Sequence, residues 1–376
     1  MLRRKRGGDL QIDWSDIVDE WDLDISPETL RRAAIGVELA FDSYSKPDTS
    51  EDVSEDYIQR QKLRDMTNRL NRTYRAEARR GLLKETVEAA ASRMKPYEIR
   101  RIASAKRDCT SELVIALGDI HYGSEFCLEG LNGEVLNQFN NEVYQQRMDK
   151  LASKVVHLIE QHSARKVHLL LVGDLLDGML RTSQLMSLEY GIVESTMKLA
   201  EHLAGWIASL AQYTDINVHA VTGNHSEIRP LKSKHRDFED ENMERIIMWY
   251  MCERLRNTRG VTVDASCKRM NKVEILGKSF LLMHGDGEQS IENIARDSVN
   301  LYGVPIDYVV CGHLHRDESM INGVTNSGNS VVIRVPSLCG MNKYAQKKGY
   351  GGHPGALGIV LTDNDSQYCV YHIDLK

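Results

Sequence analysis

Residues 113–117 read Leu-Val-Ile-Ala-Leu and lead directly into Gly118, Asp119, Ile120 and His121. A short aliphatic run that ends at glycine is typical of a buried strand followed by a sharp turn. A carboxylate and an imidazole, two side chains that bind divalent metals, therefore follow the end of this strand. In an extended segment, residues two apart point to the same side, so Asp119 and His121 can hold one ion together.

The same arrangement of an apolar run and a polar tip occurs four more times. Those runs and tips are Val167–Val172 with Gly173-Asp174-Leu175-Leu176-Asp177, Ile216–Val221 with Thr222-Gly223-Asn224-His225, Phe280–Met283 with His284-Gly285-Asp286, and Tyr308–Cys311 with Gly312-His313-Leu314-His315. Ligands of α/β sheets bind outside the carboxyl ends of the strands. A single Gly-Asp turn or a single histidine is ordinary in a packed core, but five such tips in one chain predict one shared site.

Strand-like and helical stretches alternate after residue 112. Helices are predicted at Asn141–His162, Glu189–Ala211 and Asp237–Arg256. This alternation predicts a layered α/β domain in which helices cover sheets. Little helix separates the last apolar runs, which predicts mixed or antiparallel pairing among Val331–Val335, Leu357–Leu361 and Val370–Ile373.

The chain before this domain has a different composition. We predict a helical, basic region over residues 1–106 and a separate domain over residues 107–376. Ser26-Pro27-Glu28 is typical of a helix start, Ser43–Asp56 of a linker, and Lys95-Pro96 of a helix end. The segment Tyr57–Arg107 holds 15 Lys or Arg and 5 Asp or Glu, although the whole chain carries a net charge of −6. This asymmetry is typical of a protein that attracts polyanions, with a solvated Arg-rich helix as the alternative.

The overall composition is that of a soluble globular protein. The 376 residues are 41% hydrophobic and 27% charged, and no apolar run approaches the length of a membrane span. The basic N-terminus is not followed by the apolar segment of a secretory signal. Seven scattered cysteines without a Cys-x-x-Cys pair predict reduced thiols and a cytoplasmic location.

The residue types at the five tips suit a particular chemistry. Imidazoles and carboxylates together bind Mn, Fe or Zn, with Mg as a further candidate. One aspartate can bridge two ions about 3.5–4 Å apart, which is the arrangement that suits phosphoryl displacement. Such a pair would clamp phosphate oxygens and lower the pKa of a bridging water toward neutrality.

Taken in chain order, the motifs Asp-x-His, Gly-Asp-x-x-Asp, Gly-Asn-His, a single His and Gly-His-x-His resemble the calcineurin-like metallophosphoesterase superfamily. The resemblance extends from about residue 112 to the end of the chain. It implies a four-layer α/β sandwich, two mixed β-sheets flanked by helices, to which this chain adds its N-terminal helical region. It also implies two ligand sets that share Asp174: Asp119, His121, Asp174 and His315 for one metal, and Asp174, Asn224, His284 and His313 for the other.

The resemblance assigns roles to two more residues. His225 would act as the general acid that protonates the leaving oxygen, and Asp177 would orient an imidazole without binding metal. Family members usually carry Asp or Glu after Gly-Asn-His, and this acid commonly helps to orient the histidine. Here the position is Ser226, a departure that leaves the rate and the pH optimum open.

The opening Asp119-Ile120-His121-Tyr122-Gly123 is similar to that of SbcD-like DNA repair nucleases, and the whole chain resembles phage-encoded metallophosphoesterases. The predicted function is therefore hydrolysis of DNA phosphodiesters by a centre of two divalent ions, with Mn²⁺ as the first candidate and a metal-activated water attacking phosphorus. The alternatives are a phosphatase or phosphodiesterase for small nucleotides or phosphoproteins, and a non-catalytic scaffold on the same fold. The C-terminal capping and ATPase-docking parts of full SbcD-like proteins are not expected here, and the oligomeric state stays open, a homodimer included.

Two further stretches are weaker candidates. Lys232-Ser233-Lys234-His235-Arg236 follows the Gly-Asn-His tip and could contact a substrate phosphate, with a solvated loop as the competing interpretation. Tyr350-Gly351-Gly352-His353-Pro354 is a glycine-rich loop that either borders the site or forms a plain turn.

Overall fold

The computed structural model describes residues 88–102, 110–178, 188–229, 240–287, 306–325, 328–363 and 368–376, together with residues 28, 61, 64, 66, 67, 81, 85, 86, 237, 238 and 303. The chain divides into two compact units, Met1–Leu82 and Leu83–Lys376. The predicted helix start at Ser26, the linker Ser43–Asp56 and the Lys232–Arg236 stretch lie outside the described residues. The predicted domain boundary at residue 106 stays a prediction.

The described residues of the predicted N-terminal helical region are helical from residue 28 to residue 93. The last helical residue is Arg93, and residues 95–102 are not helical. Proline disfavours the helical conformation of the residue before it, so Lys95-Pro96 prevents the helix from continuing, as predicted.

The bounds of the remaining elements follow in chain order. The strands are β1 (Ser111–Leu117), β2 (Phe126–Glu129), β3 (Val135–Phe139), β4 (Lys166–Leu171), β5 (Asp215–Ala220), β6 (Val261–Val263), β7 (Met270–Ile275), β8 (Lys278–Met283), β9 (Tyr308–Cys311), β10 (Glu318–Thr325), β11 (Gly328–Arg334), β12 (Gly355–Thr362) and β13 (Tyr368–Asp374). The helices are α1 (Asn141–His162), α2 (Ile192–Leu210), α3 (Met243–Leu255) and α4 (Lys343–Lys348).

Two mixed sheets form the centre of the second unit. The first has the strand order β13-β12-β1-β4-β5-β6, with β1, β4, β5 and β6 parallel and with antiparallel pairing of β12 to β1 and of β13 to β12. The second has the order β10-β11-β9-β8-β7, in which β8, β9 and β11 are parallel. The strands β2 and β3 form a separate antiparallel pair. The predicted mixed pairing of the last strands is confirmed.

Burial follows this layering. One apolar layer lies between the two sheets, where Val114, Leu170 and Val172 of the first sheet pack with Phe280 and Val310 of the second. A second layer joins the first sheet to α1, α2 and α3. Because both faces of β1 are covered, all seven of its residues are buried, as expected of a parallel central strand. The predicted sandwich of two mixed sheets flanked by helices is confirmed.

Helix α1 has the bounds that its sequence predicts. The side chain of Asn140 accepts a hydrogen bond from the backbone N–H of Val143 and caps the first turn. Ser163 adopts a left-handed conformation with φ 47° and ends the helix. Between these two signals, Tyr144, Met148 and Leu151 are fully buried against the first sheet.

The segment after the N-terminal helical residues packs on α2 and α3. The hydroxyl groups of Tyr97 and Tyr250 donate to the two carboxylate oxygens of Glu201, at 3.1 and 2.6 Å. The guanidinium of Arg254 lies 4.0 Å above the ring of Tyr97 and donates to the backbone carbonyl of Lys95. These contacts fix residues 95–97 against α2 and α3 within the second unit. Within the part of the chain that the structure describes, no helix has the length and apolar character of a membrane span.

Candidate metal centre

The five predicted strand tips meet at one end of the two sheets. The tips of β1, β4 and β5 come from the first sheet and those of β8 and β9 from the second. All nine predicted side chains join one connected cluster, and they are Asp119, His121, Asp174, Asp177, Asn224, His225, His284, His313 and His315. The convergence that the sequence predicts from five separate motifs is therefore present in the structure.

The first group of ligand atoms surrounds a carboxylate oxygen of Asp119. The Nε2 atoms of His121 and His315 lie 3.8 and 3.6 Å from Asp119 Oδ1 and 3.0 Å from each other. Asp119 Oδ1 is buried and has no hydrogen-bond partner. A buried oxygen without a donor is unfavourable, and a cation held between it and the two imidazoles would satisfy it.

The second group surrounds His284. Its Nε2 atom lies 2.9 Å from Asp174 Oδ2, 3.1 Å from Asn224 Oδ1 and 3.2 Å from His313 Nδ1. The opposite ring nitrogen of His284 lies 2.9 Å from the backbone carbonyl of Val172. Since a carbonyl only accepts, Nδ1 carries the proton that it donates there, and in the neutral ring Nε2 turns its lone pair toward the cluster.

Asp174 belongs to both groups. Its carboxylate can form one candidate metal site with Asp119 and His121 and another with His284 and His313, and in each set the ligand atoms lie within 4.8 Å of one another. The donor set is three carboxylate or amide oxygens with several imidazole nitrogens, which suits divalent first-row metals. The residues present therefore fit two cations that share Asp174.

The backbone at the ligands adopts a conformation that L-residues rarely use. Five ligands have positive φ, at 48° for Asp119, 48° for His121, 50° for Asp174, 75° for His313 and 53° for His315. Within the described residues, only Ser163 and Leu276 share this property among non-glycine residues. Backbone strain of this kind concentrates at functional sites, where the surrounding structure imposes it.

Two glycines allow the ligand loops to approach one another. A Cβ atom at Gly223 would lie 2.0 Å from the backbone nitrogen of Asp174. One at Gly312 would lie 2.7 Å from Asp119 Oδ2, the oxygen that accepts the backbone N–H of His313 at 2.8 Å. Any larger residue at these two positions would push the ligands apart.

Burial and charge shift the protonation of the ligands. Burial alone would lower the pKa of His284, but Asp174 opposes it and raises that pKa to about 10. Burial would raise the pKa of Asp174, and the positive charge of His284 instead holds it well below its usual range. Burial and the neighbouring His284 lower the pKa of His313 to about 4. Burial also lowers the pKa of His315, and the neutral form of a histidine is the one that binds metal.

His225 lies beside the two groups on their solvent-accessible side. Its Nδ1 atom lies 2.9 Å from Asp177 Oδ1, and its Nε2 atom faces Asp174 Oδ2 at 3.9 Å. The side chains of His225 and Asp177 are 17% and 13% exposed, whereas Asp119, Asp174 and His284 are at most 1% exposed. Burial alone would raise the pKa of Asp177, but hydrogen bonds and charges from His121 and His225 lower it far below its usual range. The geometry thus gives Asp177 the orienting contact that the resemblance implied.

The departure at Ser226 has a structural explanation. Ser226 is buried and its hydroxyl donates to Glu244 Oε1 at 2.9 Å. Glu244 lies in the first turn of α3, so a carboxylate is present beside the Gly-Asn-His loop although it comes from another element. No sequence signal singles out Glu244, because a glutamate in the first turn of a helix is ordinary at a helix start.

A buried thiol also lies next to the first group. Cys339 Sγ falls within 4.8 Å of ligand nitrogens of His121 and His315. Its sulfur contacts the hydroxyl of Ser337 at 3.2 Å, and burial raises the pKa of the thiol. Cys339 therefore lies at the wall of the centre, beside the first ligand group. No motif around residue 339 marks it in the sequence.

The glycine-rich loop that follows α4 borders the centre. A Cβ atom at Gly352 would lie 2.6 Å from the backbone carbonyl of His315. The guanidinium of Arg316 lies 5.5 Å from the centroid of the Tyr350 ring. The loop is thus in contact with the segment that carries His313 and His315. This contact favours a loop that borders the site over a plain turn.

Comparison with known proteins finds a family model, a curated relative and several solved structures that resemble this chain. The family model of the calcineurin-like phosphoesterases matches residues 113–317. The chain is 26% identical over 303 residues to the SPbeta prophage-derived uncharacterized protein YonJ of Bacillus subtilis (strain 168), covering 79% of this chain and 73% of YonJ. Among solved structures it is similar to Vps29 from Entamoeba histolytica in complex with zinc, at 14% identity and a TM-score of 0.31, covering 70% of this chain and 99% of that one. An archaeal phosphodiesterase matches at 11% identity and a TM-score of 0.35, covering 69% and 99%.

The family match covers more than half of the chain and contains all nine predicted site residues. TM-scores at this level add no argument about the fold or the activity. The sheet topology and the two ligand groups that share one aspartate are those expected of a metal-dependent phosphoesterase. On the strength of that match, the chain belongs to the calcineurin-like phosphoesterase family.

Proposed function

We propose that this chain is a phosphodiester hydrolase that holds two divalent cations, with Mn²⁺ as the first candidate, and acts on DNA. The observation that carries the proposal is Asp174, which belongs to two ligand groups at once, with His225 beside both. When bound, two cations neutralise charge on a phosphate and lower the pKa of the attacking water. Such a pair with one proton donor serves phosphoester hydrolysis in general, and the basic segment is what favours a diester polymer.

The chain's own residues supply the proton for the leaving group. Asp177 accepts the Nδ1 proton of His225 at 2.9 Å, which fixes the ring and directs Nε2 toward the centre. The ring of His225 also packs edge-on against His121, with centroids 4.5 Å apart. In this arrangement Nε2 of the protonated His225 donates to the leaving oxygen, and Asp177 stabilises the charge on the ring.

The basic segment supports a polymeric substrate. Arg93, Lys95 and Arg100, which lie near the start of the second unit, are exposed. Arg101 forms an ion pair with Asp215 at the start of β5, the strand whose other end leads to Asn224. The strand is roughly 20 Å long, so the two places lie at opposite ends of the sheet. A ligand that contacts both the cations of this segment and the metal centre would therefore be an extended polyanion.

A substrate panel tests the proposal. Purified protein with Mn²⁺ is incubated with labelled single- and double-stranded DNA, with bis-p-nitrophenyl phosphate and with p-nitrophenyl phosphate, and His225→Ala serves as the matched inactive variant. We expect both DNA and the diester to be cleaved faster than the monoester. DNA cleavage should also fall steeply with salt while diester hydrolysis changes little, because only DNA releases counterions on binding.

The same panel can refute the proposal in two ways. Preference for the monoester, with DNA left intact, would remove the nuclease and point to a phosphatase for small nucleotides or phosphoproteins. Failure of the metal-loaded protein to cleave any phosphate ester would remove hydrolysis altogether and leave a scaffold on this fold.

A further inference from the structure

Glu244 is a buried carboxylate that contacts the metal-ligand loops without reaching the metal ligands themselves. It lies in the first turn of α3 and is 0% exposed. Its Oε1 atom accepts the backbone N–H of Leu175 at 2.6 Å and the hydroxyl of Ser226 at 2.9 Å. Its Oε2 atom accepts the backbone N–H of Gly223 at 2.6 Å.

These three donors belong to two different loops. Leu175 directly follows Asp174, the aspartate shared by both ligand groups, and Gly223 directly precedes Asn224. Ser226 directly follows His225, the proposed proton donor. One carboxylate thus accepts from a backbone N–H just before Asn224, from a side-chain hydroxyl just after His225 and from a backbone N–H next to the shared aspartate. Both side-chain oxygens of Glu244 are used as acceptors.

The start of α3 fixes Glu244 relative to the same loop. The side chain of Asn242 caps the helix by accepting from the backbone N–H of Glu244 at 2.9 Å. Its amide nitrogen donates to the carbonyl of Gly223 at 2.8 Å, and the backbone N–H of Met243 donates to the carbonyl of Ser226 at 2.9 Å. The carboxylate is therefore held on a regular element and is not free to follow the loops.

We propose that Glu244 is a positioning residue for the metal centre, and that it supplies from α3 the carboxylate that this chain lacks after Gly-Asn-His. Its role is to set the distance between the loop of Asp174 and the loop of Asn224, on which the second metal site depends. The inference rests on the proposed function for its activity readout, but metal affinity tests it independently.

The test measures Mn²⁺ affinity by calorimetry and bis-p-nitrophenyl phosphate hydrolysis for wild type and Glu244→Gln. The amide keeps the size of the side chain but places an N–H against one of the three donors. We expect Mn²⁺ affinity to fall about 10–100-fold, the usual effect of removing a partner that orients metal ligands. Glu253→Gln makes the same change on the same helix, at a residue whose partner is Arg256, and should keep wild-type affinity and activity.

A rescue separates positioning from simple stabilisation. Ser226 Oγ and Glu244 Oε1 are 2.9 Å apart. A carboxylate carried by residue 226 could therefore occupy the position that the Glu244 carboxylate takes in the wild type. The double variant Ser226→Glu with Glu244→Ser returns an acid from the other side and should recover most of the lost Mn²⁺ affinity. A folded double variant that stays as weak as Glu244→Gln would overturn the proposal.

The remaining outcomes are also decisive. A folded Glu244→Gln with wild-type Mn²⁺ affinity overturns the inference. If Glu244→Gln fails to fold, Ser226→Ala removes a single donor: weaker Mn²⁺ binding supports the inference and unchanged binding overturns it. Wild-type protein that binds Mn²⁺ but cleaves no ester refutes the proposed function alone, because the affinity comparison does not depend on turnover.

Discussion

The Nδ1 atom of His225 lies 2.9 Å from Asp177 Oδ1, and the same oxygen lies 3.5 Å from His121 Nδ1. Asp177 therefore contacts a proposed metal ligand and the proposed proton donor at once. Its position links the orientation of the general acid to the first ligand group.

Replacing His225 with alanine should separate metal binding from turnover. No ligand is removed, so Mn²⁺ content measured by mass spectrometry should stay near that of wild type. Turnover should fall about 10²–10⁴-fold, the usual contribution of a general acid. The loss should be larger for DNA than for bis-p-nitrophenyl phosphate, whose nitrophenolate leaves without much help. Full activity of this variant would show that another group donates the proton.

Asp177→Asn should weaken catalysis less than removal of His225. The amide can still contact the ring, but it no longer stabilises the positive charge on His225. We expect turnover of the diester to fall about 10–100-fold with Mn²⁺ content little changed. A parallel loss of Mn²⁺ would instead make Asp177 a ligand, contrary to its assigned role.

Two aspartates should differ in how many ions they hold. Asp174 belongs to both ligand groups, so Asp174→Asn should abolish binding of both ions. Asp119 belongs to the first group, so Asp119→Asn should retain about one ion per chain. Metal content and the rise in melting temperature on adding Mn²⁺ would measure this, because a ligand present at 100 times its Kd stabilises by about 2.7 kcal/mol. Equal losses in the two variants would contradict a bridging role for Asp174.

Metal binding near pH 8 should release a proton from His284. Asp174 raises the pKa of His284 to about 10 although burial opposes the shift, so the ring is protonated in the metal-free protein. This pair stabilises the metal-free fold fully below pH 6.5, and the contribution is lost as the pH rises through about 10. Since a bound metal requires the neutral ring, the heat of Mn²⁺ binding should depend on the ionisation enthalpy of the buffer. Identical heats in two different buffers would exclude the release.

Gly223→Ala should damage the centre through the backbone. The new Cβ would lie 2.0 Å from the backbone nitrogen of Asp174, so the two loops must separate. We expect a loss of about 1–3 kcal/mol in the free energy of unfolding, together with weaker Mn²⁺ binding. Gly191→Ala is the matched control, because a Cβ there has no neighbour within 4 Å. Wild-type Mn²⁺ affinity in Gly223→Ala would show that the loops tolerate the displacement.

The strand tips could be predicted because each combines an apolar run, a glycine and metal-binding side chains within a few consecutive residues. β1 and β9 are apolar at almost every position, and glycine marks where each turns toward its ligands. Helix α1 was predicted with its observed bounds, and the structure adds that Asn140 caps its first turn. The pairing of Asp174 with both ligand groups followed from the motif resemblance, and the observed distances agree with it.

Other elements carry too weak a local signal. The strands β2 and β3 are mostly exposed, so their apolar content does not mark a core strand, and β6 is only three residues long. Glu244 was missed for a different reason. Its contacts join residues far apart in the chain, such as Leu175, which lies 69 positions away. The periodicity of helices and strands predicts only contacts between residues close in sequence.

The left-handed backbone at five of the ligands has a consequence for engineering. Glycine adopts such φ values without penalty, whereas each other residue there costs about 1 kcal/mol or more. A screen that ranks variants by melting temperature in a chelating buffer would favour the replacement of Asp119 or His313 by glycine. Such variants would be more stable but would have lost a metal ligand. Selection for thermal stability should therefore be run with Mn²⁺ present, so that the selected variants keep their metal ligands.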